Sequence, residues 1–345
     1  MLRQSIVVLA ALIAPAMVCG QENASVFVSG EGGYHTYRIP ALIASDAGTL
    51  LAFCEGRKTS PSDAGDIDLL LKRSTDNGVT WSEQQVVYEE GGDAKITIGN
   101  PCPVAGAEGV VHLLFTRDNA RVFYVASRDD GATWSTPREI TAVFAGFDFP
   151  WTRVGTGPGH GLRLSSGRLL VPLWLNERTG QNYRSAVLYS DDDGVSWQAG
   201  GLLGPEVADT NECMAVELPG GAVYLNMRAQ KAPFRVVAGS TDRGETWSVP
   251  VPDQGLPGPV CQASVLRVGG RVFFANPTGP GRTNLAIKMS DDGAQTWRQL
   301  EMLHEGPSAY SDLALSPDGN LLCLYEGGTN KPYEAIRISR IALRE

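Results

Sequence analysis

Five near-copies of one octapeptide punctuate the chain: STDNGVTW from residue 74, SRDDGATW from 127, SDDDGVSW from 190, STDRGETW from 240 and SDDGAQTW from 290. Four fit Ser-x-Asp-x-Gly-x-x-Trp, and the fifth carries its glycine one place early. Asp and Gly make a tight turn whose carboxylate can accept backbone N–H bonds, while the Trp packs beneath it. A calcium loop would need more liganding carboxylates than any one box supplies. The boxes therefore read as folding devices.

A second repeat alternates with the first. Turn residues around a glycine lead into a short apolar strand in ASDAGTLLAF, AGAEGVVHLLF, LSSGRLLVPLW, LPGGAVYLNM, RVGGRVFFAN and LSPDGNLLCLY. An octapeptide follows each of the first five by 18 to 26 residues, and none follows the sixth, at Gly319. A period of about 50 residues, built from strands without amphipathic helices and with a Trp in each unit, predicts an all-β, six-bladed β-propeller. A stacked β-solenoid would show shorter and more regular repeats. The segment ASVFVSG, around Val26 to Val28, is expected to close the ring by adding a strand to the sixth blade. Residues 22–345 are then one domain without a linker.

Composition limits the partners. The net charge of −9 and isoelectric point near 5.1 argue against nucleic acid, because phosphate binding draws on a Lys/Arg surplus. They leave room for a small anionic ligand held by a few focused arginines. Residues 1–20 combine an early Arg3, an apolar run from Ile6 to Val18 and the small Cys19 and Gly20. This pattern reads as a secretory signal peptide, too short to span a bilayer, with lipid attachment at Cys19 as the rival reading. The protein is thus expected to be exported, periplasmic or extracellular, without an integral membrane span. Beyond Cys19, the five cysteines Cys54, Cys102, Cys213, Cys261 and Cys323 are scattered singly. With no CxxC, neither a zinc site nor a dense disulfide framework is expected, and no metal or cofactor is called for.

In a propeller, the start of each hairpin's first strand and the end of its second lie at the same mouth. The starts carry Arg38, Asn100, His160, Glu212, Gln262 and Tyr310. The ends carry Glu55 and Arg57, Arg117, Asn176 and Glu177, Arg228, Asn276, and Glu326. The opposite ends of the hairpins are plain turns of Gly, Ser and Asp, so chemistry is segregated to one rim. Arginines converging there imply a carboxylate or phosphate ligand gripped by paired hydrogen bonds.

With YRIPAL, EGRKTSPSDAGDIDL, NEC…NMR, GPGR and AYSDL in this order among the octapeptides, the mature chain resembles the exo-α-sialidases (neuraminidases). The resemblance implies that Arg38, Arg228 and Arg282 grip the sialic acid carboxylate, and that Asp63 is the general acid/base, with Asp66 and Asp68 as nearby competitors. Tyr310 is implied as nucleophile and Glu212 as the carboxylate that activates it. Glu326 is similar to the residue that braces the first arginine, and Glu55 and Arg57 to secondary pocket residues. Trp151 and His160 are candidates for shaping the rim or touching the sugar. Arginines near Tyr310 are expected to favour its phenolate.

The function this implies is hydrolysis of terminal α-linked sialic acids on glycoproteins, glycolipids or oligosaccharides, with retention. Transfer in place of hydrolysis would use the same core residues. A sialic-acid-binding propeller without turnover would need the three arginines but has no use for Tyr310, Glu212 and Asp63 together. For a pure scaffold the octapeptides would suffice.

Overall fold

The computed structural model describes residues 24–92, 94–177, 182–203 and 209–343. The leader-like stretch 1–20, with Cys19, lies outside them. The described residues are strands and loops, with a short 3-10 helix at Thr141–Gly146. Among them no helix is long and apolar enough to cross a membrane.

The hairpin strands are buried along nearly their whole length, as in Leu50–Arg57 and Leu169–Asn176. Sheets covered on both faces call for continuous apolar runs in place of alternation, which is why the motifs read LLAF, LLVPLW and LLCLY. Aliphatic and aromatic side chains of neighbouring sheets form the core clusters, such as Phe53, Leu71, Leu113 and Phe115 between the first two repeats. All five described cysteines are free and buried within this packing.

The arrangement is a β-propeller. Strands of successive repeats touch in a closed round: Thr36–Ala44 meets Ile98–Ala105, that strand meets Arg153–Thr156, which pairs with Leu169–Asn176, and Leu169–Asn176 meets Thr210–Glu217. The round continues through Ser264–Val268 and Arg298–Leu315 back to Thr36–Ala44. The expectation of six separate blades is corrected by the hydrogen bonding. Four discrete blades, three of four strands and one of five, are joined by one seven-stranded sheet. The cause is Arg298–Leu315, an 18-residue strand that pairs with Thr283–Ser290 through its first half and with Asn320–Gly327 through its second. No turn interrupts it, so the ladders of the fifth and sixth repeats are continuous. As anticipated, Ala24–Val28 pairs antiparallel with Ala335–Ala342, adding the first described segment to the last strand.

Each octapeptide is wired alike. In the first, Ser74 Oγ donates to Asp76 Oδ1 and accepts from Gly78 N, and Asp76 accepts from both the amide and the hydroxyl of Thr80. The turn needs two successive left-handed residues, Asn77 and Gly78 here. In the fifth box their order is Gly293 then Ala294, and Ala294 holds φ 67° while its N–H still reaches Ser290 Oγ. The shifted glycine thus leaves the wiring intact at the cost of a strained alanine.

At the mouth, first strands share an irregularity. The register of pairing slips between Arg38 and Ala41, Gly99 and Cys102, Thr210 and Cys213, and Ser308 and Ser311. Bulges of this kind bend a strand and re-aim its side chains. Asn100, Glu212 and Tyr310 fall inside the slips and Arg38 on the edge of one.

Candidate active site

A cavity of about 240 Å3 opens where these bulges meet, and Arg38, Glu55, Arg57, Asp63, Asn100, Glu212, Arg228, Arg282 and Tyr310 all contribute to its lining. Tyr310, 6% exposed, stands at its floor. Its hydroxyl donates to Glu212 Oε1 at 2.5 Å and accepts from Arg228 Nη1 at 2.9 Å, while the same Arg228 nitrogen donates to Glu212 Oε2 at 2.5 Å. The guanidinium groups of Arg38 and Arg282 lie 5.1 Å and 5.2 Å from the Tyr310 ring centre. Three arginines from three repeats therefore surround one phenol.

Burial, and then the charge of Glu212, push the Tyr310 phenol well above its ordinary range, against the pull of Arg228, Arg282 and Arg38. The arginines pull toward the phenolate as expected, but desolvation and a carboxylate at hydrogen-bond distance outweigh them. The group is a neutral phenol with a base already in contact.

Glu326 is fully buried beneath Arg38 and does not itself line the cavity. Its Oε1 accepts from Arg38 Nε at 2.7 Å and from the Ile39 N–H at 2.9 Å, and its Oε2 accepts from the Tyr310 N–H. Ile39 has φ 60°, a conformation a β-branched residue resists. One carboxylate thereby fixes Arg38, the strained bulge and the tyrosine backbone. Tyr333 holds a second pair together, with its ring 4.0 Å from the Arg38 guanidinium and its hydroxyl accepting from Arg282 at 2.7 Å.

Asp63 sits on the loop after Leu50–Arg57, with its side chain 81% exposed. Arg57, itself tied to Glu55 through two nitrogens, reaches Asp63 Oδ1 at 2.7 Å, and Arg38 Nη1 lies 3.5 Å away. Burial opposes the charge, yet Arg57 and then Arg38 hold the Asp63 carboxyl below the usual range. Asp66 and Asp68 turn away to Lys58, and Asp68 also accepts from the Tyr34 hydroxyl. Of the three aspartates, Asp63 alone lines the cavity among the described residues.

Other rim candidates do not reach it. His160 is buried, with Nδ1 2.8 Å from Asp312 Oδ1, and Trp151 packs edge-on against Phe144. Arg117 pairs with Glu90, while Asn176, Gln262 and Asn276 are buried in the fold. The cavity wall instead includes Asn119, Arg153, Trp174, Tyr183, Asn211 and Gln230. Trp174 and Tyr183 come from the third repeat, their rings 5.8 Å apart. Trp174 fits because its strand neighbour is Gly155, where a Cβ would lie 2.3 Å from the indole. The signal was present, since Trp174 is two residues from the rim position Asn176, and alternation along the strand places it on the same face.

Residues 48–323 match the BNR repeat-like domain. The chain is 32% identical over 342 residues to a sialidase of Micromonospora viridifaciens, covering 89% of this chain and 52% of that protein. It therefore spans about half the length of that relative. It is 30% identical over 355 residues to an exo-alpha-sialidase of Aspergillus fumigatus, covering 88% of this chain and 83% of that protein. In three dimensions it is similar to the Hadza microbial sialidase Hz136, with a TM-score of 0.84, 26% identity, and coverage of 93% and 68% of the two chains. With these matches running through the repeats that build the arginine-lined cavity, the chain belongs to the sialidase family.

Proposed function

We propose that the protein is an exported exo-α-sialidase that hydrolyses terminal α-linked sialic acids with retention, through Tyr310 as nucleophile. The observation that carries this reading is the Tyr310–Glu212 contact inside a ring of three arginines. A protein that only bound sialic acid would gain nothing from a base on a buried phenol. A single domain over residues 22–345 is part of the reading.

Arg38, Arg228 and Arg282 would grip the substrate carboxylate. That carboxylate sits on the reacting carbon, so a carboxylate nucleophile would meet like charge, and a neutral phenol avoids it. The phenol oxygen attacks the anomeric carbon as its proton passes to Glu212. The bond to the leaving oxygen breaks with its electron pair, and Asp63 supplies the proton. In the second half Asp63 takes a proton from water, the water oxygen bonds to the anomeric carbon, and the tyrosine–carbon bond breaks. The phenolate then recovers its proton from Glu212.

For Asp63 to start protonated, the arginines that depress it must be occupied elsewhere. A substrate carboxylate on Arg38 removes the weaker of the two pulls and adds negative charge nearby, while Arg57 stays at 2.7 Å from Asp63. The test is turnover of a fluorogenic α-sialoside by the wild type, Tyr310→Phe, Asp63→Ala and Arg38→Ala. Tyr310→Phe should lose about 100-fold or more in kcat, and Arg38→Ala should lose substrate binding. No turnover by folded wild type on any sialoside would sink the enzyme reading.

A further inference from the structure

Arg235 is a buried cation with no part in the proposed chemistry. It is 4% exposed, and among the described residues no carboxylate lies within ion-pair distance of it. Its Nε donates to Asn226 Oδ1 at 2.6 Å, its Nη1 donates to Cys261 O at 2.7 Å, and its Nη2 is buried without a partner. The strands Phe234–Ser240 and Val223–Ala229 pair as far as Val236 and Met227, so Arg235 and Arg228 come next on the two strands. Like charges in such positions repel. Glu212, whose charge Arg235 feels, is already engaged by Arg228 Nη1 and the Tyr310 hydroxyl. Burial drives the Arg235 guanidinium down to about 10, with Arg228 adding to the fall and Cys261 and Glu212 resisting it. A charge buried at this cost calls for a reason other than stability.

What Arg235 holds supplies that reason. Cys261 belongs to residues 260–262, which lie between the strands Val251–Pro257 and Ser264–Val268 and in neither. Each of the three bears on the site. Val260 O accepts from Arg282 Nη2 at 3.4 Å. Cys261 packs with Tyr310, Ala309 and Ile39. The Gln262 amide pairs with the backbone of Ser311, next to Tyr310, its Oε1 accepting from Ser311 N and its Nε2 donating to Ser311 O, both at 3.0 Å. A stretch with no ladder of its own thus touches Arg282, the Tyr310 side chain and the strand that carries it. The bond from Arg235 to Cys261 O ties its middle to the strand beside Arg228.

We propose that Arg235 is a positioning residue for the reaction: by holding residues 260–262 it fixes the Tyr310 hydroxyl against Glu212 and Arg228. The inference rests on the reading of Tyr310 as nucleophile. Arg235 does not line the cavity, so it acts on the reacting atoms only through the residues it holds. A nucleophile must be kept within about 0.5 Å of its productive place, and a displacement of about 1 Å can cost two orders of magnitude in rate. Loosening residues 260–262 therefore slows the chemical step more than it weakens binding, because Arg38 is held separately by Glu326 and Tyr333, and Arg282 by Tyr333.

The experiment measures kcat and KM for a fluorogenic aryl α-sialoside in wild type, Arg235→Met and Arg235→Lys, with urea unfolding to establish that each is folded. Met fills much of the same space and gives up both hydrogen bonds, whereas Lys keeps the charge and a donor for Cys261 O. Arg235→Met should lose about tenfold or more in kcat while KM stays within about twofold of wild type. Arg235→Lys should recover most of that rate. A kcat within about twofold of wild type in folded Arg235→Met would overturn the assignment, and so would a loss carried by KM alone. A Lys variant no faster than the Met variant would overturn it too. If Arg235→Met does not fold, Gln262→Met decides, since it frees the same residues from the Ser311 backbone: a lower kcat at unchanged KM upholds the assignment, and an unchanged kcat overturns it. A folded wild type that turned over no sialoside would bring down the sialidase reading first, whereas an active wild type with an unaffected Arg235→Met would overturn this assignment alone.

Discussion

At the scale of single residues, the site is a set of charges each held against its preference. Tyr310 is kept neutral by burial, and Asp63 is kept ionised by Arg57 and Arg38. The second condition sets the pH dependence. The Asp63 carboxyl of the free protein lies below its ordinary 3.8, so its acid form grows scarcer as pH rises above that value. For an alkyl sialoside, whose departing oxygen needs a proton, kcat/KM should already be declining at the ordinary 3.8 and keep declining as pH rises. A sialoside with an acidic phenol as leaving group should show a shallower decline. Parallel profiles for the two substrates would remove Asp63 from the acid role. That Arg38, Asp63, Glu212, Arg228, Arg282 and Tyr310 share one cavity was legible through motif order. The extent of Tyr310's desolvation was not, because its burial depends on how the repeats pack around it.

Secondary-structure elements set the precision of the site. Bulges in the first strands aim Asn100, Glu212 and Tyr310 inward, and a loop tied down by Thr97 carries Asp63. Thr97→Val keeps the shape but removes both hydrogen bonds to Gly65. Its kcat should fall about tenfold on substrates whose leaving group needs the Asp63 proton, with little change in KM, because Arg38, Arg228 and Arg282 are untouched. Thr97→Ser should restore the rate. A loss shared equally by phenol and alkyl leaving groups would mean that Thr97 serves only the fold. Neither bulges nor latch could be read from the chain. Register slips are set by pairing with a neighbouring strand, and Thr97 lies 32 positions from the glycine it holds.

Across the whole molecule, one carboxylate gathers the repeats beneath the mouth. Asp312, fully buried and two residues beyond Tyr310, accepts from Leu42 N at 2.8 Å, Ser264 Oγ at 3.0 Å and its own strand's Leu313 N at 3.1 Å. With His160 Nδ1 2.8 Å away, it joins the first, third, fifth and sixth repeats. Asp312→Ala should take this acceptor from Leu42 N and the Ser264 hydroxyl, while Leu313 N keeps Ser264 Oγ at 2.9 Å, and cost about 3 kcal/mol or more in urea unfolding. Asp312→Asn, which keeps two acceptor lone pairs, should cost less. Equal stability of wild type and Asp312→Ala would show that the ring does not depend on this hub.

The sequence by itself determined the repeat, because the octapeptide turn is a local structure. Ser74, Asp76, Gly78 and Thr80 satisfy one another within a few residues whatever surrounds them. It also determined which rim carries chemistry, since hairpin ends alternate between plain turns and charged residues. Only the tertiary structure decided how the repeats join and what completes the pocket. Arg298–Leu315 fuses two repeats because its first half pairs with Thr283–Ser290 and its second with Asn320–Gly327, and Trp174, Tyr183 and Tyr333 reach the cavity and its arginines only after the ring closes. Contacts between residues 51 or more positions apart, such as Arg282 with Tyr333, leave no local pattern in a chain. They form because closure of the ring brings side chains from separate repeats to one axis.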